Sequence, residues 1–215
     1  VKQFLLLISS LTFAGTAHAQ AGLRAGGSLS GYRHDTNNNF HTSTDARLGY
    51  QVGVFYQLPL TKRLSLVPEV QYSDERTTVT KTNDVTFEGG YSSTFRSRLS
   101  YLSVPILLRA TFGPVYVEAG VQGSRLLGGH ENGSVTSGGV VGPTTYGIDR
   151  EVTYRYRRYD VGPSAGIGVK LPAGLGVSVR AYQGLVSLSH DGEANYGHLY
   201  RQSLQASLTY QLPGR

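Results

Sequence analysis

The chain has 215 residues, carries a formal net charge of +6, and contains neither Cys nor Trp. That length holds one domain of ordinary size or one small barrel, and the lack of Cys excludes a disulfide framework and any Cys-based metal site. The positive surplus suits phosphate-rich partners, but the basic residues are scattered and form no dense Lys/Arg run, which argues against nucleic acid.

Residues 1–19 read as an export signal. Lys2 supplies a short positive start, Phe4 to Ala17 is a mostly apolar stretch, and Ala17-His18-Ala19 gives the small-x-small pattern that predicts cleavage before Gln20. The stretch is short for a transmembrane helix, and nothing later approaches about 20 apolar residues. Residues 20–215 are then expected to form a single domain.

After residue 20 the period is two. Residues 23–31 place Leu23, Ala25 and Leu29 on one face and Arg24, Ser28 and Ser30 on the other. In 48–58 the even positions are Leu48, Tyr50, Val52, Val54, Tyr56 and Leu58, set against Gly49, Gln51, Gly53, Phe55 and Gln57. The same alternation runs through 64–72, 99–109, 115–125, 159–171, 175–181 and 204–212. Strict alternation over such lengths indicates strands with unlike faces, and these segments predict eight of them.

The connections alternate in length. Pro59–Arg63, Ala110–Pro114 and Pro172–Gly174 are short, whereas 33–46, 74–98, 126–152 and 188–198 are long, polar and rich in Gly, Asn, Ser and Thr. Transmembrane barrels have short periplasmic turns, longer extracellular loops and, with an even strand number, both termini on the periplasmic side. The less apolar face is largely Gly, Ser, Gln, Glu and Arg. A soluble barrel would have to show that face to water, and the 16% charged residues here are few for such a surface. The expected fold is therefore all-β: an eight-stranded antiparallel up-and-down transmembrane β-barrel. Pro68, Pro105 and Pro163 fall within strands, where each removes a ladder hydrogen bond, so bulges are predicted at or beside them.

The run Tyr101-Leu102-Ser103-Val104-Pro105-Ile106-Leu107-Leu108-Arg109, followed by Phe112-Gly113-Pro114-Val115-Tyr116-Val117-Glu118-Ala119-Gly120, resembles the porin/PorT-like outer-membrane β-barrel family. Asp160-Val161-Gly162 with Gly166-Ile167-Gly168 is similar to that family's next strand. The resemblance implies an eight-stranded barrel in the bacterial outer membrane, in a family whose members mostly lack an assigned biochemical activity; "porin" there is a family label, not evidence of conduction. Barrels of this kind usually end on an aromatic residue read by the barrel-assembly machinery. Here the alternation ends at Tyr210 and Leu212, ahead of Pro213-Gly214-Arg215.

By parity Arg24, Glu69, Arg109, Glu118, Asp160, Lys170 and Arg180 point inward. Glu69, Glu118 and Arg180 stand about four to six residues above the short turns, which at roughly 3.3 Å per residue puts them at one level. Isolated charges there would be costly, so a carboxylate–guanidinium cluster plugging the barrel is expected; a narrow gated ion path is the alternative. At the loop end of the sixth predicted strand, Arg155, Arg157, Arg158 and Tyr159 form a candidate rim for lipopolysaccharide phosphates. With parity carried back from Val161, Arg155 and Arg157 face outward beside Tyr159; a bulge that breaks parity would leave ordinary solvated charge.

No catalytic residue, metal or cofactor is assigned. Asp35-Thr36-Asn37-Asn38-Asn39 opens like a calcium loop but has Phe40 where Gly is needed and Ala46 where the bidentate Glu belongs. Ser187, Ser189, His190 and Asp191 cluster in sequence, as do His34 and Asp35, yet adjacent strand positions face opposite ways, so Ser189 and His190 do not naturally meet. Residues 128–142 are Gly-rich but lack the Gly-Lys-Ser/Thr phosphate element. The functional expectation is a structural or surface-interaction barrel acting through its long loops. A small channel and a lipid A-modifying hydrolase are the alternatives.

Overall fold

A computed structural model describes residues 20–35, 41–83, 91–137, 144–188 and 198–212. Nine strands are described: β1 (Gln20–Asp35), β2 (His41–Pro59), β3 (Leu64–Asn83), β4 (Tyr91–Phe112), β5 (Val115–Ser137), β6 (Thr144–Glu151), β7 (Tyr159–Lys170), β8 (Leu175–Gln183) and β9 (His198–Gln211). Every pairing is antiparallel. Eight strands close a ring in the order β1-β2-β3-β4-β5-β7-β8-β9, with β9 returning to β1. A closed ring leaves no unpaired strand edge. Among the described residues β6 pairs only with the far half of β5, so it stands outside the ring as a hairpin extension.

One end of the barrel is made of tight connections. Gly113 and Pro114 alone join β4 to β5, with Gly113 at φ +61°, and Ala173 and Gly174 turn β7 into β8 at φ 59° and 76°. The other end extends far past the alternating segments. β3 and β4 stay paired from Leu64↔Ala110 to Asn83↔Tyr91, and β5 runs on to Ser137. The expected loops 74–98 and 126–152 are thus largely β-hairpin in their described parts. They escaped the period-two reading because their buried face is largely polar, as at Glu75, Thr77, Ser97 and Glu131, and because seven of the eight β6 residues are exposed.

The bulges also lie elsewhere than expected. Register shifts occur at Arg47/Tyr50 and Ser100/Tyr101, whereas Pro68 sits opposite Ile106, Pro105 opposite Gln122 and Pro163 opposite Val121 without a shift. Each residue's N–H serves only one neighbouring strand, so a proline removes one bond and leaves the register intact.

The two faces of the wall differ in chemistry. Leu48, Val54, Val121, Ile167 and Leu208 are exposed on the outside, where a hydrocarbon surround would cover them. Inside lie Arg24, Gln51, Glu69, Gln122, Arg180 and Gln205, all nearly inaccessible. The interior also holds apolar and aromatic groups: Phe55, Val67, Leu107 and Tyr116 toward the turn end, and Leu99, Tyr101 and Leu126 toward the hairpin end, the last three packed by Tyr32 and Tyr156.

Candidate functional site

Strand parity brings charges from five strands into one layer near the turn end. Arg24 on β1 lies 3.2 Å from Glu69 on β3 and 3.6 Å from Glu118 on β5. Arg180 on β8 donates to Glu69 at 3.0 Å and to Glu118 at 2.8 Å. Arg109 on β4 donates to Glu118 through both Nε and Nη2. The side chains of Arg24, Glu69, Glu118 and Arg180 are 0% exposed, so these ions meet only one another and the wall.

Residues without side chains make that convergence possible. Gly166 stands between Glu118 and Arg180 in the β5–β7–β8 row. A Cβ on Gly53 would come within 3.2 Å of a Glu69 carboxylate oxygen. Below the ions an aromatic floor fills the space: the Arg109 guanidinium lies 4.2 Å from the Tyr116 ring centroid and 5.6 Å from that of Phe55. Lys170 takes no part. It is half-buried beside the β7–β8 turn, and among the described residues no carboxylate pairs with it; it stands four residues along β7 from Gly166, the cross-strand partner of Glu118.

A second charged layer sits toward the hairpin end. Arg201 on β9 donates from Nε and Nη2 to the two carboxylate oxygens of Glu75 on β3, at 3.0 and 2.6 Å, a bidentate pairing. Its guanidinium lies between Tyr101 and Tyr182, at 4.0 and 5.0 Å from their centroids. Asp160 belongs to this layer, 3.9 Å from Arg201, and accepts from the Tyr182 hydroxyl at 2.8 Å. Glu75 and Arg201 lie outside the segments read as strands from sequence, but extending the parity of Gln71 and Ser73, and of Ser203 and Gln205, by one step places both inside.

Amides and hydroxyls separate the layers. Gln71 donates to Gln51 at 2.7 Å, Gln51 donates to Ser207 at 2.8 Å, and Ser103 and Ser124 share a bond of 2.9 Å. Above the second layer, Glu131 on β5 accepts from Arg150 on β6 and from the Tyr156 hydroxyl. Val152, fully buried, packs with Leu99 over Gly129.

The candidate rim differs from its expected form. The strand begins at Tyr159, and Thr153–Arg155 form a turn of 3-10 helix, so parity from Val161 cannot be carried back to Arg155 and Arg157. The Arg155 side chain lies outside the described part. The backbone N–H of Arg157 donates to the Leu188 carbonyl at 2.9 Å and its side chain is half-buried, while Arg158 is exposed. Tyr159 is 66% exposed, with the guanidinium of Arg125, a residue the sequence reading missed, 5.8 Å from its ring centroid. Residues 36–40 of the calcium-like stretch, and Ser189, His190 and Asp191, lie outside the described residues. Among the described residues no cluster of His, Asp and Glu is arranged to hold a metal.

Residues 13–190 match the family described as "Outer membrane protein beta-barrel domain". Among solved structures the chain is similar to Ail, the attachment invasion locus protein of Yersinia pestis, at 7% identity and a TM-score of 0.42, covering 90% of this chain and 99% of that one. It is similar to Neisserial surface protein A at 11% identity and 0.42, with 90% and 99% coverage. It is also similar to OprG from Pseudomonas aeruginosa at 8% identity and 0.37, with 90% and 96% coverage. No curated protein matches the chain.

Proposed function

The chain belongs to the outer membrane protein beta-barrel domain family, and from that premise we propose that it is a non-enzymatic, plugged barrel of the bacterial outer membrane that works through its outer surface. The observation that carries this reading is the pair of interior ionic layers. Ions that are 0% exposed and bound to one another across the lumen, as Arg180 is to Glu69 and Glu118, offer no hydrated route for a solute. In a ring of eight strands, side chains suffice to fill the interior.

In this reading residues 1–19 are a cleaved export signal and both termini are periplasmic. The β3–β4 and β5–β6 hairpins then project outside the cell. They are paired β-ribbons carrying exposed polar and charged groups such as Arg96, Asn132 and Asp149, a rigid surface for an extracellular partner. The membrane partners are outer-leaflet lipid, including lipopolysaccharide, and the barrel-assembly machinery during biogenesis. Tyr210 is the aromatic residue near the end of β9 that the machinery would read.

A pull-down from outer-membrane and extracellular fractions tests the surface role. The full protein should retain a component that is lost when 77–97 is replaced by a short turn, with the truncated barrel still migrating as a folded species. Equal retention by both proteins would remove the β3–β4 hairpin from this role.

A further inference from the structure

Outside the barrel, one side-chain step beyond the apolar belt, the β2–β4 wall turns basic. Arg76 on β3 and Arg98 on β4 are direct cross-strand partners, and Arg47 on β2 stands opposite Arg76 on the other side. Like charges placed directly opposite destabilise a sheet unless countered. Among the described side chains of this wall, one carboxylate counters the pair. Asp74 accepts from Arg76 Nε at 2.9 Å through one oxygen and from Arg98 Nε through the other.

The three groups differ sharply in exposure. The Asp74 side chain is 0% exposed, while those of Arg76 and Arg98 are 47% and 56% exposed. The buried carboxylate engages the Nε of each arginine, so both forks are tethered at Nε with their exposed parts beyond the carboxylate. Arg47 and Arg96 beside it are also exposed cations, so the row carries more positive charge than Asp74 alone offsets.

Immediately beneath this row the surface is amphipathic. Tyr50 is the cross-strand partner of Asp74, and its ring lies 6.2 Å from that of Tyr72. Val52, Val70 and Leu102 follow toward the belt and are exposed. The distance from the Tyr50 row to the Arg76 row is one step of two residues, roughly 7 Å along a strand. A matching ligand has an anionic group that takes two guanidinium forks and hydrocarbon that runs down past the tyrosines.

We propose that Asp74, Arg76 and Arg98 form a docking site for a phosphate group of an outer-leaflet glycolipid, the lipid A part of lipopolysaccharide. Arg76 and Arg98 hold the phosphate, Asp74 is the positioning residue that aims them, and Tyr50 and Tyr72 pack on the acyl chains. Arg-to-phosphate pairing is strong when the fork is held in place. The site lies on β3 and β4, apart from the Arg157–Arg158 rim, and it rests on the reading that the hairpin end faces outside.

Native mass spectrometry of the folded, full-length barrel in neutral detergent, titrated with diphosphoryl lipid A, tests the site. Wild type should bind one lipid A, and R76Q/R98Q should weaken binding by roughly tenfold or more. D74N raises the net positive charge, so simple attraction would tighten binding; loss of aim should instead weaken it. R76K/R98K keeps charge and Asp74 but loses the forks, and should also weaken binding, which covers the case of a D74N protein that does not fold. R158Q should bind as wild type, and lipid A stripped of phosphate should bind weakly. Wild-type affinity in R76Q/R98Q, tighter binding by D74N, or full displacement by millimolar inorganic phosphate would overturn the proposal. Labelling of a cysteine placed at Asn83 in intact cells tests orientation separately, because it does not depend on lipid A binding.

Discussion

The two ionic layers inside the barrel solve the same problem with opposite imbalances. The layer near the turn end has three guanidiniums, Arg24, Arg109 and Arg180, for two carboxylates, Glu69 and Glu118. The layer toward the hairpin end has one guanidinium, Arg201, for two carboxylates, Glu75 and Asp160. The lower layer is a shared network drawn from five strands. The upper layer is one bidentate pair held between two tyrosine rings. In each, the minority charge holds the others together, so a substitution's effect depends on which side of the imbalance it removes.

The largest loss is expected from Glu118→Gln, which withdraws the carboxylate shared by Arg24, Arg109 and Arg180. Breaking a buried pair from one side costs about 3–5 kcal/mol, and urea unfolding in lipid bilayers should show it. Next comes Arg201→Met, about 3 kcal/mol by the same mechanism; Asp160 keeps its Tyr182 hydroxyl and the Val186 N–H as donors, which limits the loss. Arg24→Met leaves two guanidiniums to two carboxylates and should cost about 1 kcal/mol. Combined with Glu118→Gln it should cost less than the sum of the two single changes, because the lost carboxylate then leaves fewer unpaired guanidiniums. The smallest effect is expected from Asp160→Asn, which balances the upper layer and keeps an acceptor for Tyr182, at about 1 kcal/mol or less. Equal losses from Arg24→Met and Glu118→Gln would show that the charge ratio does not govern the layer.

The same contrast separates what could be read from sequence from what could not. Alternation in segments such as 48–58 gives the eight-membered ring, because one face meets hydrocarbon and the other meets packed polar side chains. It also aims Arg24, Glu69, Glu118 and Arg180 to one side, and all four meet in the interior. Where strands leave the belt that contrast disappears. Arg76-Thr77-Thr78-Val79-Thr80-Lys81 is strand but polar almost throughout, so it reads as loop, and Glu75 at its edge was missed with it.

Asp74 was hidden for a different reason. It lies on the outer face by parity, yet it is fully covered, because the shift between Arg47 and Tyr50 on β2 brings Tyr50 opposite it while Arg76 and Arg98 close over it. A bulge on a neighbouring strand leaves no mark in the sequence around residue 74. The parity expected at Arg155 and Arg157 breaks from the opposite cause: the strand begins only at Tyr159, and Thr153–Arg155 is a helical turn, so alternation does not reach these residues.

Planar lipid bilayer recording of the purified, folded protein tests the central claim most directly. A barrel plugged by its two ionic layers should give no stable conductance above the bilayer baseline, in high salt as in low. Large, stable, reproducible channel steps from the wild-type protein would contradict it.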